Sequence, residues 1–225
     1  MKNNLLKITK QFIGMLFYSF GVSAIVFSGL GASPIDAATY YINQIIPVFD
    51  NLIPNFTGQG IWLIIFNMII ALVLFIVFRK RSLWINVLVS IAIGILFTLG
   101  MFTYGILFSS IVGNIYLMIL IAFVGINFMA FGIAYLASKS LYGTPFDELA
   151  IKLEETVKKY YLSKIILDGS FLLIAFILGL IYRNVFEQID FFTVIVLAFL
   201  GPFINMYINI IKKIDIRKDG NLKWN

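Results

Sequence analysis

One short pattern able to do chemistry occurs twice in this sequence, as Ser33-Pro34-Ile35-Asp36 and as Thr144-Pro145-Phe146-Asp147. Each copy combines a hydroxyl, a proline, an apolar residue and a carboxylate. That order starts a helix. Ser or Thr caps the first turn, Pro is preorganised for the first helical position, and Asp reaches back to the cap. A helix start at the membrane surface needs nothing more. Within a bilayer, the same start would present backbone N–H groups and a carboxylate to a cavity, a place for a small polar or ionic group. Gly29, Gly31 and Gly143 beside the two copies supply the permissive backbone for such a break. Both readings stand at this level.

The copies belong to a longer repeat. Pro34 and Pro145 are 111 residues apart, and the same offset relates Asp36 to Asp147, Gly14 to Gly125, Gly21 to Gly132, Phe17 to Phe128 and Phe20 to Phe131. Special-geometry residues coinciding at one spacing point to duplication. With small shifts in the loops, Asn67 matches Asp168, Gly94 matches Gly201, and Thr98 falls opposite Asn205.

Asp168 is the only acid well inside an apolar run, where an ionisable group is costly and a functional candidate by default. Lys164, one turn earlier, offers the alternative of a plain ion pair. Asn127, Asn205 and Asn209 could line a pathway, but intramembrane Asn more often bonds a neighbouring helix. Glycines spaced by seven residues, such as Gly14 with Gly21 and Gly125 with Gly132, fit helix-packing faces.

Enzyme chemistry is not expected. The chain has no His and no Cys, and it carries no nucleotide-binding loop and no nucleophile–base pair. No cofactor or metal is expected either. Hydrophobic residues make up 61% of the chain and charged residues 12%, with mean hydropathy +0.98. Soluble domains carry about 25% charged residues, so the composition indicates a membrane-embedded protein. The net charge of +6 does not point to nucleic acid, because the Lys and Arg residues lie between apolar runs.

Six spans are predicted near residues 8–30, 60–78, 84–108, 115–137, 162–182 and 191–211. The first reads as a retained span, not a cleaved signal, and the charged stretch 145–161 reads as an amphipathic helix. Lys2, Lys7, Lys10, Arg79-Lys80-Arg81, Lys139, Lys152, Lys158, Lys159, Lys164 and the tail lysines fall on one side; Arg183 stands against them. Positive charge stays cytoplasmic, which places both termini inside. Three spans per repeat is an odd number, so repeat 1 (about 8–110) and repeat 2 (about 115–211) would enter the membrane in opposite directions. The expected fold is all-α: one integral membrane domain over 1–225, two inverted three-helix repeats, each with a short amphipathic or re-entrant helix after its first span, and a short cytoplasmic tail over 212–225.

Gly31-Ala32-Ser33-Pro34-Ile35-Asp36, the later Gly143-Thr144-Pro145-Phe146-Asp147, Asn67 before the basic loop, and the closing Gly201-Pro202 together resemble the YczE/YyaS/YitT family of bacterial integral membrane proteins. The resemblance covers nearly the whole chain. Ile35 stands where an aromatic is expected, and the absence of a soluble segment after the last span fits the YczE-like form. The resemblance implies a bacterial plasma-membrane protein, often presumed to transport a solute.

The expected function is secondary transport of a small solute. The candidate site comprises Ser33, Pro34, Asp36, Asn67, Thr144, Pro145, Asp147 and Asp168, with Asp168 carrying the coupling proton or cation. The alternative is a non-transporting scaffold or regulatory partner that docks another protein on 145–161. The bilayer is the expected partner in either case; a second copy of the chain or another membrane protein stays open.

Overall fold

A computed structural model describes residues 2–49, 58–78, 83–109, 113–139 and 142–221. The connection holding Asp50, Pro54 and Asn55, and the basic loop Arg79-Lys80-Arg81 with Ser82, lie outside the described residues. The described residues form eight α-helices and one short 3-10 turn at Val185–Glu187, with no strand among them. In chain order the helices are α1 (Lys2–Phe27), α2 (Pro34–Ile45), α3 (Gly58–Phe78), α4 (Leu83–Phe108), α5 (Ile115–Ser138), α6 (Pro145–Val157), α7 (Tyr160–Tyr182) and α8 (Phe191–Asn221).

Six of these helices are long and apolar enough to cross a membrane, over Leu6–Phe27, Gly58–Val77, Trp84–Phe108, Ile115–Ser138, Tyr160–Tyr182 and Phe191–Ile214. Their outward faces are apolar as well: Met68, Ile69, Leu72, Val73 and Ile76 on α3 are all exposed, a surface suited to lipid and not to water. The chain is thus an all-helical, multi-pass membrane protein. The remaining helices, α2 and α6, are the short ones that begin at the two prolines.

Local chemistry explains where the boundaries depart from the sequence expectation. Helix α1 stops at Phe27, short of the predicted residue 30, because Gly29 (φ 64°) and Gly31 (φ 129°) take left-handed backbone. A side chain at Gly31 would also meet the Thr193 hydroxyl at 2.7 Å, so both backbone and space demand glycine there. The apolar spacing from Phe146 to Tyr160 suggests one helix, but Lys158 turns left-handed (φ 65°) and gives its N–H to the Glu154 carbonyl. That closes α6 at Val157 and leaves Tyr160 to open α7. Helix α8 runs through Pro202 and on to Asn221, past the predicted end at residue 211.

Two apolar clusters divide the interior. Residues of α1, α4, α5 and α8 form one, including Ile25, Phe97, Ile126 and Val196. Residues of α2, α3, α6 and α7 form the other, including Tyr41, Leu74, Phe146 and Phe171. Close helix contact at the centre of the first cluster depends on glycine. A side-chain carbon added at Gly21 would sit 2.2 Å from the Met129 backbone nitrogen, and one at Gly132 would sit 2.4 Å from that of Tyr18. Gly21 lies against Gly125, and Gly132 against Gly14, so α1 and α5 run antiparallel with small residues at the crossing. Phe17 meets Phe128 edge-to-face at 5.3 Å in the same seam. Helix α4 lies against α1, where Ser19 and Ser23 donate to the Ile93 and Phe97 carbonyls at 3.2 and 2.8 Å. Helix α8 lies against α5, α2 against α7, and α6 against α3.

Candidate functional site

The first motif is not laid on a surface. Pro34, Ile35, Asp36, Ala37, Ala38 and Thr39 are consecutive and all buried. Six buried residues in a row cover every face of a helix, so the opening turns of α2 are enclosed by protein. The cap differs from the sequence expectation: the Ser33 side chain makes no bond to the first turn and instead donates to Asp36 Oδ2. A buried carboxylate needs donors more urgently than a helix end does, and the hydroxyl goes to it. The Asp36 carbonyl accepts from Gln59 Nε2 at 3.1 Å and from the Thr39 hydroxyl at 2.9 Å, which ties α2 to the first turn of α3.

The second motif forms the capping box that its residue types predict. Thr144 Oγ1 accepts from the Asp147 N–H at 3.1 Å, and Asp147 Oδ2 accepts from the Thr144 N–H at 2.9 Å and its hydroxyl at 2.7 Å. Pro145, Phe146 and Asp147 are buried here as well. Asp147 Oδ1 is buried and has no hydrogen-bond partner.

Both motifs are fastened to other parts of the chain. For the first, Tyr41 of α2 donates to the Val185 carbonyl and accepts from the Gln188 N–H at 3.0 Å, while Ala32 N–H reaches the Gln188 carbonyl at 3.1 Å. For the second, the Gln11 side chain of α1 makes a reciprocal pair with the Tyr142 backbone at 2.7 and 3.0 Å, two residues before Thr144.

Between the motifs lies a buried ion pair. Lys164 Nζ stands 3.1 Å from Asp168 Oδ1, with both side chains 4% exposed. The same ammonium lies 4.1 Å from the centre of the Phe146 ring, which in turn packs edge-to-face on Phe171 at 5.1 Å. Lys164 therefore joins α7 directly to the second motif. It also acts on the first. Burial pushes the Asp36 carboxyl up from 3.8 to about 6; the Ser33 hydrogen bond and the Lys164 charge pull it down, and Asp168 pushes it up. The Tyr18 phenol, near the middle of the first span, lies in the fields of Asp147, Asp36 and Asp168 together. The α7 pair is thus the common neighbour of the two motifs: Lys164 acts on Asp36 of the first and lies over the Phe146 ring of the second.

Other sequence candidates go elsewhere. Asn67 is buried on α3, with its amide on the Leu63 carbonyl at 3.0 Å and its Oδ1 without a partner. Asn127 bonds Tyr207 across α5 and α8 at 3.0 Å, a packing role. Asn205 and Asn209 are exposed on α8. The sequence reading treated Lys164 only as a neutralising partner and did not single out Gln59 or Tyr18. Lys164 was visible by its one-turn spacing from Asp168. Nothing in the pattern marks Tyr18, because its repeat mate is Met129.

Residues 5–209 match DUF6198, a family of unknown function. The chain belongs to that family. No curated protein and no solved structure matches it. The DUF6198 match takes in both motifs, Lys164 and Asp168, so the buried acids lie within the part of the chain that the family shares.

Proposed function

We propose that this protein is a secondary transporter of a small solute, with its site between two halves of opposite orientation. The observation that carries the reading is a buried Lys164–Asp168 pair on α7, a helix against which both α2 and α6 pack with their buried, acid-bearing starts. Buried charge of this kind is costly and is commonly found where a membrane protein handles ions. The helix pairings support the inverted arrangement. If α1–α4 correspond to α5–α8, then the contact of α1 with α4 has its counterpart in α5 with α8, and α2 with α7 has its counterpart in α6 with α3. Phe17 touches its own repeat mate Phe128, as residues near a two-fold axis do. The doubled motif and its likeness to the YczE/YyaS/YitT family point the same way, and the family's setting would place the protein in a bacterial plasma membrane with both termini inside.

In this reading Asp168 carries the coupling charge and the two motif helices position the solute. Uptake of a solute panel into proteoliposomes under an imposed pH gradient tests it. Uptake that depends on the gradient and is lost in Asp168→Asn is expected. Uptake in that variant with unchanged pH dependence would remove Asp168 from the coupling role. The scaffold reading has less behind it, because the start of α6 is buried and Lys152 on its open face is paired with Glu155 at 2.5 Å.

A further inference from the structure

The buried acids hold more acceptors than the protein supplies donors. Asp168 Oδ1 is met by Lys164, but Oδ2 is met by nothing; Asp147 Oδ2 is met twice, but Oδ1 by nothing. Asn67 Oδ1, on a helix that packs against α6, is buried without a partner as well. Leaving such atoms buried and unpaired is unfavourable, so a ligand that completes the site must bring donors. It must also bring positive charge. Asp36, Asp147 and Asp168 are buried, and Lys164 is the only buried Lys or Arg among the residues whose side chains are described.

Two classes of cation meet the charge requirement, and the geometry separates them. A metal ion needs several oxygens converging on one point, and among the described residues no three acids come together in that way. An N–H cation needs only acceptors within reach of its hydrogens. Lys164 already displays how such a group is held here, with a carboxylate oxygen on one side and an aromatic face on the other. We infer that the site binds a small primary ammonium ion, with Asp147 Oδ1 and Asp168 Oδ2 as its acceptors. This deepens the transport reading by naming the class of solute, and the binding itself does not depend on transport.

The test uses the full chain in nanodiscs and methylammonium chloride as the probe. Equal concentrations of sodium chloride, tetramethylammonium chloride and sodium acetate serve as comparisons. A saturable rise in Tm with methylammonium, absent with sodium and with donor-free tetramethylammonium, is expected. Asp147→Asn keeps the cap acceptor and the Lys164–Asp168 pair and should lose the rise. Should that variant fail to fold, Asp168→Glu, which keeps the charge but moves the oxygens, should raise the half-saturating concentration at least tenfold. An equal rise with sodium or acetate, no rise with any salt, or a full response in the variant that folds would overturn the inference. Uptake of labelled methylammonium separates this from the transport reading. Binding without uptake above protein-free vesicles leaves the ammonium site and removes transport. Flux of another solute through a protein blind to methylammonium does the reverse.

Discussion

Asp36 shows how one buried group can report on its surroundings. Its carboxyl is raised from 3.8 to about 6 by burial, and the groups acting on it are Ser33 on its own turn and Lys164 and Asp168 on α7. The Tyr18 phenol of α1 lies in its field as well, and neutral Gln59 of α3 holds its carbonyl. A raised acid binds its proton more tightly in the folded state, so its contribution to stability is present below 3.8 and is lost as the pH climbs to about 6. Thermal stability in detergent should therefore fall across that interval, and Asp36→Asn should flatten the fall. The Lys164–Asp168 pair allows a second prediction. Asp168→Asn leaves an ammonium buried without its counter-charge and should cost about 3–5 kcal/mol, whereas Lys164→Met with Asp168→Leu should recover most of that stability while abolishing function. Loss of Tm in the single variant and its return in the double variant is the measurement. At this scale the sequence showed the acids but not their shared field. Nothing along the chain brings Asp36 close to Lys164; that takes folding.

The elements divide between those written in the pattern and those set by context. All six spans were legible, because runs of about 20 apolar residues leave no other structure in a bilayer. The short helices were legible as helices through Pro34 and Pro145, but their depth was not. Depth depends on what covers Ala37, Ala38 and Thr39, and the answer lies in α3 and α7. The cap of α2 was misread for a related reason, since Ser33 and Thr144 look alike until burial makes Asp36 compete for the hydroxyl. The glycine spacing did predict a packing seam, and the seam can be tested. Gly21→Ala puts a carbon 2.2 Å from the Met129 nitrogen and should destabilise the α1–α5 contact by at least about 1–3 kcal/mol. Gly105→Ala on α4 meets nothing within 4 Å and should be neutral or stabilising by up to about 1 kcal/mol. Equal Tm losses for the two would count against close packing at the seam.

For the whole molecule, the proposed topology of six crossings with lysine-rich loops inside would put the C-terminal end of α2 and the outer face of α6 on opposite sides of the membrane. The chain has no Cys, so single probes read cleanly. Val48→Cys, after α2, should react with an impermeant thiol reagent from outside, and Glu155→Cys on α6 from inside; the reverse pattern would invert the topology. The repeat proposed for the chain rests on sequence offsets. What the offsets could not convey is that Asp36 of the first motif and Phe146 of the second would both come near Lys164 of α7. That meeting is the central claim, and Asp36 can test it from within. Carboxyl carbon NMR of the intact protein, with the Asp36 signal assigned by loss in Asp36→Asn, gives its titration directly. If the first motif shares a site with the ion pair of α7, Lys164→Met removes a charge that holds Asp36 down, and its titration should move above about 6. A midpoint unchanged in Lys164→Met would mean that the two motifs do not share a site.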